Sequence, residues 1–293
     1  MAFSRPFLKT LAAVAMVALV AVACGGGGGK KTAAKGTTTS VEDTSTTVAD
    51  TSTTAAGGAT ATTKAGARTA TPSGAKVNGQ PANNYQPPAG AKAATPAAPG
   101  TYKYDTSGSS SFGTQSSSPP PVTPLIVDPP AGSRQHSTRD ERDSAGNGTV
   151  TETTLDYQPQ GVYLVEVKVS TKTTLGAQNF DFVANPPALA APTGAKPGQS
   201  VEFDLSGSGT NVHVKVDFVR TETLTIGGQN VDTMVVHQVS TLSGTLTGTQ
   251  TSDAWVSPQY DLFVKDHTVA DITAYGVKAH SDISSQLQKL TPG

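Results

Sequence analysis

Residues 211–219 read Asn-Val-His-Val-Lys-Val-Asp-Phe-Val, and this strict alternation leaves the chain few ways to fold. Side chains of an extended strand point to opposite faces with a period of two. Val212, Val214, Val216 and Phe218 therefore share one face, and His213, Lys215 and Asp217 share the other. Such a segment is a strand with one side on a core and one side in water. The rhythm recurs. In 161–169 it places Tyr163, Val165, Val167 and Val169 on one face, opposite Glu166 and Lys168. Val201, Phe203 and Leu205 alternate with Glu202 and Asp204. Val and Thr, whose branched side chains suit a pleated surface, are abundant throughout. A helical period competes only near the C-terminus, where Ile283, Leu287 and Leu290 fall at i, i+4 and i+7. A short helix and a closing edge strand both fit there.

Turn signals separate the runs. Ile226-Gly-Gly-Gln229 predicts a hairpin between 221–226 and a strand over 231–241. Gly244 and Gly248 predict a weakened or bulged strand. Ala145-Gly-Asn-Gly148 predicts a turn over 143–148, and Pro186, Pro187, Pro192 and Pro197 predict a loop without regular structure. The expected fold is mainly β: a curved antiparallel sheet in meander order, as a half-barrel or a sandwich. No unit of fixed period repeats, which argues against a solenoid or a propeller.

The N-terminus sets the expected location. Arg5 and Lys9 precede an apolar run from Leu11 to Ala23, and Cys24, the single cysteine, follows. The run is about 13 residues long. A spanning helix needs roughly 20, and a cleaved signal suits the shorter length. The small Ala23 before the lone Cys24 makes the segment resemble a bacterial lipoprotein signal, although Ala21 stands where Leu is commoner. The resemblance implies a signal peptide over 1–23, lipidation of Cys24, and a mature chain held by that lipid on the outer face of the cell membrane. A lipidated Cys24 leaves no thiol for a disulfide or a zinc site.

Residues 24–98 are expected to be a disordered tether rich in Thr, Ala, Gly and Pro. From Gly25 to Pro121 the large aliphatics and Phe are Val41, Val48, Val77 and Phe112 alone. So few cannot offset roughly 1–2 kcal/mol of backbone entropy per residue. Runs such as Thr37–Ser40 and Thr51–Thr54 resemble stalks that carry O-linked sugars, and an unmodified linker is the plain alternative. A coil of this length has a root-mean-square span on the order of 50 Å. That reach suits display across a Gram-positive or actinobacterial wall. The β-domain is expected over 99–293, including a Ser/Pro-rich stretch near 106–121. Removing the signal leaves 19 basic against 22 acidic residues. This mild acidity argues against nucleic acid and against docking of the domain itself on anionic lipid.

The segment 218–265 carries a further rhythm: Phe218-Val-Arg-Thr-Glu-Thr-Leu-Thr-Ile-Gly-Gly, then Val231-Asp-Thr-Met-Val-Val, then Trp255-Val-Ser-Pro-Gln-Tyr-Asp-Leu-Phe-Val-Lys265. It resembles a family of uncharacterised bacterial β-rich envelope proteins related to the lipoprotein-carrier half-barrels. Trp255, Pro258, Leu262, Val264 and Lys265 match that family's strand ending, while Gln259 and Asp261 stand where glycine is usual. Tyr102 and Tyr104 after Gly100 fit its opening strand. The resemblance implies a half-barrel whose concave apolar face holds acyl chains or lipoproteins.

Chemistry is sparse. His136, His213, His237, His267 and His280 have no partner histidine at i+2 or i+4, which predicts surface residues rather than metal ligands. Nucleophile-elbow, zinc-protease and phosphate-loop motifs do not occur. His136-Ser-Thr-Arg-Asp140 and Asp266-His267 each offer half of an acid–base pair, and both read as solvated polar surface. Asp140-Glu-Arg-Asp143 reads as a solvated turn, without the oxygen spacing of a calcium loop. Trp255 reads as a core aromatic rather than a ligand platform. The functional expectation is a lipid-anchored, non-enzymatic envelope protein without cofactor or metal, whose β-domain binds a cell-envelope partner or is structural. A carrier of lipid or another hydrophobic ligand is the alternative.

Overall fold

The computed structural model describes residues 74–293, apart from 114, 174–175 and 275. The signal, Cys24 and the tether up to residue 73 lie outside the described residues. Fifteen strands are described. They are β1 (Lys76–Val77), β2 (Gln80–Pro81), β3 (Gly100–Phe112), β4 (Gln115–Ser117), β5 (Val122–Val127), β6 (Arg134–Asp140), β7 (Gly148–Gln158) and β8 (Gly161–Thr173). β9 (Gly176–Pro192), β10 (Ser200–Gly207), β11 (Thr210–Ile226), β12 (Gln229–Gly244), β13 (Leu246–Ser257), β14 (Leu262–Ala274) and β15 (Val277–Leu287) follow.

The mainly β, antiparallel expectation holds, and the curvature runs further than a half-barrel: the sheet closes. Strand order is β11-β12-β13-β14-β15-β3-β5-β6-β7-β8-β9-β10, and β10 pairs with β11 to complete a 12-strand barrel. Closure removes the free edges that an open sheet would present. β4 folds back on β3, and the β1–β2 hairpin adds to β10. The part of the expected tether that is described, 74–98, lies against the barrel. Val77, Ala82 and Ala97 are buried, the Tyr85 hydroxyl donates to the Thr193 carbonyl at 2.7 Å, and the Ser200 N–H donates to Asn78 Oδ1 at 2.8 Å.

The alternation of β10 and β11 holds residue by residue. Val201, Phe203, Leu205, Val212, Val214, Val216 and Phe218 all point into the core. β8 departs from the expected phase. Thr154 pairs with Glu166 and Leu155 with Leu164, so Val165 is an extra residue in a bulge. The bulge shifts the phase by one. Val162, Leu164, Val167 and Val169 face inward, and Tyr163 is only half-buried.

Two other expectations are revised. The prolines at 186, 187 and 192 fall within β9 rather than in an irregular loop. Between the pairs Glu166–Val183 and Leu164–Ala188 the strand makes an excursion that contains both Pro186 and Pro187. Residues without an N–H are accommodated where the ladder is interrupted. At the C-terminus the choice falls to a strand, β15, whose Ala279, Ser281, Ile283, Ser285 and Leu287 are buried in alternation. The i, i+4 spacing of Ile283 and Leu287 fits a period of two as well as 3.6.

The expected hairpin at Gly227–Gly228 forms, with φ of 56° and 80°. These positive values are those of the two-residue turn whose twist matches the strands it joins. Gly228 has open space around a would-be Cβ, so only backbone strain opposes a side chain there. Gly228→Ala is expected to cost about 1 kcal/mol and Gly228→Asn less, as read by urea denaturation.

Side chains fill the barrel. Tyr102, Tyr104, Phe182, Phe203, Phe218, Leu164 and Leu246 are almost wholly buried. Two apolar clusters result. The larger gathers inward residues of β7–β14, and the smaller gathers Tyr102, Tyr104, Leu125, Val127, Ile226, Val231, Val264 and Leu287. Apolar-in, polar-out is the reverse of the pattern on a membrane-spanning barrel, whose outer band is apolar. Among the described residues the large apolar side chains that stay exposed are Val122, Ile126, Val183 and Val219.

Candidate functional site

Two polar features stand out inside the barrel. The first centres on Arg139 of β6, which is buried. Asp266 of β14 lies four strands away round the barrel, and both residues point inward. Arg139 Nη1 donates to Asp266 Oδ1 at 3.4 Å, Nη2 donates to Ser285 Oγ at 2.8 Å, and Nε lies 3.0 Å from Glu141 Oε1. The Ser285 hydroxyl donates to the same Asp266 oxygen. The guanidinium also sits over the Tyr104 ring, 5.4 Å from its centroid, and the Tyr104 hydroxyl donates to the Phe263 carbonyl at 2.7 Å. Burial works against the Arg139 charge, yet Asp266 and Glu141 hold its pKa above the ordinary value. Burial raises Glu141 despite Arg139 beside it, and burial likewise raises Tyr104. This cluster ties β6 to β14 and β15 through the barrel interior, with Arg139 Nη1 and Nη2 engaged while Nε, near Glu141, makes no hydrogen bond among the described residues.

The second feature lies toward the end of the barrel where β13 turns into β14. Asp261 in that turn is buried, and its Oδ2 accepts from the Tyr157 hydroxyl of β7. Burial pushes the Asp261 carboxyl up to about 7, against the opposing effect of the Tyr157 hydrogen bond. The Tyr157 hydroxyl is raised by burial and then by the Asp261 charge. The pair borders a cavity of about 20 Å³ shared with Ala97, Leu125, Val127, Gln135, Ser137, Leu155, Leu262 and Phe263. Gln135 Nε2 donates to the Ala97 carbonyl at 2.8 Å and to the Asp128 carbonyl at 3.0 Å, so both of its amide hydrogens are engaged.

The sequence-predicted polar residues are placed as follows. Every histidine faces outward beside an aspartate. His213 and Asp204, His237 and Asp253, and His280 and Asp271 are direct cross-strand neighbours at 2.8, 2.7 and 2.8 Å. His267 meets Asp282 at 3.0 Å and His136 meets Asp128 at 2.8 Å. These pairs are well exposed, and surface pairs of this kind contribute little. Among the described residues no three His, Cys, Asp or Glu side chains are grouped to hold a metal ion.

Asp266 and His267 do not pair, because neighbours on a strand face opposite ways. Arg139 and Asp266, one from each of the two suspected half-pairs, meet inside the barrel. Of Asp140-Glu-Arg-Asp143, three residues behave as a solvated turn: Arg142 pairs with Asp140, and Asp143 Oδ1 accepts from the Ala145 and Asn147 N–H groups. Glu141 is the exception and turns inward. Trp255 is neither a core aromatic nor an open platform. It is half-buried, its Nε1 donates to Glu222 at 3.1 Å, and Lys265 Nζ lies 4.4 Å from its ring centroid. Cys24, the predicted lipidation site, lies outside the described residues.

Sequence reasoning missed Arg139, Tyr104, Tyr157 and Asp261 as a constellation. One signal was readable: Asp266 is in phase with Val264, Thr268, Ala270 and Ile272, all buried. A charge in that phase marks an inward position. Comparison with protein-family models, with curated proteins and with solved structures returns no match.

Proposed function

We propose that this chain is a lipid-anchored cell-envelope protein displaying a non-catalytic β-barrel for binding or a structural role. The observation that supports the reading is a barrel filled by its own side chains, whose buried charges Arg139, Glu141 and Asp266 are paired with one another. Such a module offers its outer wall and its loops to a partner in the envelope. It calls for no cofactor. The anchor is Cys24, and the stretch from Cys24 to residue 73 is the spacer between the outer face of the membrane and the barrel. The described cavity, about 20 Å³, has room for about one water molecule. That is far less than an acyl chain requires, which is why the carrier reading is not adopted.

The test joins the anchor to the filled interior. Cells fed a radiolabelled fatty acid are expected to label the wild-type protein. Cys24→Ser is expected to lose the label and leave the membrane fraction. The barrel released from the membrane by proteolysis within 24–73 is expected to carry no lipid in native mass spectrometry without detergent. A labelled Cys24→Ser protein overturns the anchor, and a stoichiometric bound lipid overturns the display reading in favour of a carrier.

A further inference from the structure

Residues 74–98 lie in series between the spacer and the barrel, so a pull on the spacer reaches the barrel through them. Their attachment is slight. Of these residues only Val77, Ala82 and Ala97 are buried. β1 and β2 are two residues each, joined by a turn in which Asn78 and Gly79 have φ of 50° and 76°. A lone two-stranded hairpin is marginal in water, so this one depends on β10. Lys76 pairs with Glu202 and Val77 with Val201, and the Asn78 N–H donates to the Ser200 carbonyl at 2.9 Å. Farther along, the hydrogen bonds from Tyr85 to Thr193 and from Gln135 to Ala97 hold the strap down. The next element, β3, is 13 residues long and paired on both sides, with β15 and β5.

The strap covers a seam in the wall. β10 pairs with β11 along its whole length, but its register with β9 is the single pair Ser206–Val183. Continued in antiparallel order from that pair, the register would set Pro186 and Pro187 against Phe203 and Glu202. Prolines have no N–H to give a ladder, and β9 makes its excursion there. The edge of β10 that β9 leaves is the one that β1 takes up.

We propose that residues 74–98 are a releasable latch: under tension on the spacer they peel from β10 and from the end of the barrel while the barrel stays folded, and they dock again when the tension falls. The proposal rests on the anchored-display reading, which supplies the pull. Such opening of one weakly held segment below the global transition is how folded proteins respond where burial is least. Release lengthens the spacer by up to about 90 Å, at about 3.5 Å for each residue of the stretched strap. It also uncovers the backbone of Val201 and Glu202 at the seam.

The test is single-molecule stretching of the full chain, held at Cys24 and at Thr249→Cys on the exposed face of β13. Two events are expected in order: a reversible extension of no more than about 90 Å, and then, at higher force, loss of the barrel. Val77→Asp puts a charge into the larger apolar cluster, and Asn78→Ala removes the side-chain acceptor of the Ser200 N–H. Each is expected to lower the force of the first event and to leave the second unchanged, so the proposal stays testable if one variant folds poorly. Three results overturn it: a first extension well beyond about 90 Å, which means that strap and barrel come apart together; no separate event before the barrel is lost; or a first event whose force neither variant lowers. The measurement has no membrane, so none of these results depends on lipidation of Cys24, which the fatty-acid label reads separately.

Discussion

Arg139→Ala is expected to lower the unfolding free energy by about 3–5 kcal/mol, the usual cost of removing one partner from a buried ion pair. Against a typical stability of about 5–15 kcal/mol, this is enough to threaten the fold. The reason lies in what remains. Asp266 and Glu141 both point at the guanidinium, at 3.4 and 3.0 Å, and no other described Lys or Arg forms an ion pair with either. Without Arg139 two buried carboxyls must take up protons or draw water inside. The loss is therefore expected to be larger at pH 8 than at pH 4.5, where protonation relieves the two acids. The Ser285–Asp266 hydrogen bond survives the change, so the deficit comes from charge.

The contrasting variant separates the value of the cluster from the cost of breaking it. Arg139→Met with Glu141→Gln and Asp266→Leu removes all three charges at similar volume. It is expected to fall within about 2 kcal/mol of the wild type, because desolvating three charges cancels much of what they gain from one another. Urea denaturation followed by Trp255 fluorescence reads both variants. An Arg139→Ala loss below about 1 kcal/mol means that water reaches the cluster and that it does not tie the walls together.

How far the sequence reveals this molecule depends on the range of the interaction concerned. Strand phase is local, and β10 and β11 follow directly from the alternation of Val201–Leu205 and Val212–Phe218. So does the hairpin at Gly227–Gly228, because two consecutive glycines suit two positive φ angles. Bulges escaped because nothing in 161–169 marks Val165 as the extra residue. Only its partners on β7 do, through the pairs at Thr154 and Leu155. Closure escaped for a related reason: a meander of antiparallel strands reads the same whether or not its first strand meets its last. The strap over 74–98 has a composition too poor in large apolar groups to signal folding, yet it needs few of them, because β10 and the Thr193 turn were already in place to receive Lys76, Val77 and Tyr85. The internal charges were the least legible. His136-Ser-Thr-Arg-Asp140 shows no apolar phase from which to place Arg139, since its inward neighbour Gln135 is itself polar. Asp266 alone carried a readable phase, and its partner lies 127 residues away.

Raising the pH from about 4 to about 7 is expected to weaken the fold through Asp261. The sign follows from proton uptake. In the unfolded chain an aspartate loses its proton near pH 3.9. In the folded protein burial holds the Asp261 proton to about pH 7. Across that window the native state binds more protons than the unfolded state, so stability falls as pH rises. The slope is at most about 1.4 kcal/mol per unit, for a total of up to about 4 kcal/mol, level above pH 7. Glu141, raised by burial, acts in the same direction, so the total for the protein does not isolate the site, and a variant must. Asp261→Asn keeps an oxygen for the Tyr157 hydroxyl and tolerates the left-handed backbone, where φ is +51°. Its amide nitrogen takes the place of Oδ1, which is buried without a hydrogen-bond partner, and leaving that group unpaired takes back about 1–3 kcal/mol. The variant is therefore expected to be about 1–3 kcal/mol more stable than the wild type at pH 8, to cross it at a pH of about 4.6–6, and to be less stable at pH 4. A difference between the two proteins that does not change with pH means that Asp261 is ionised throughout and hydrated in its cavity.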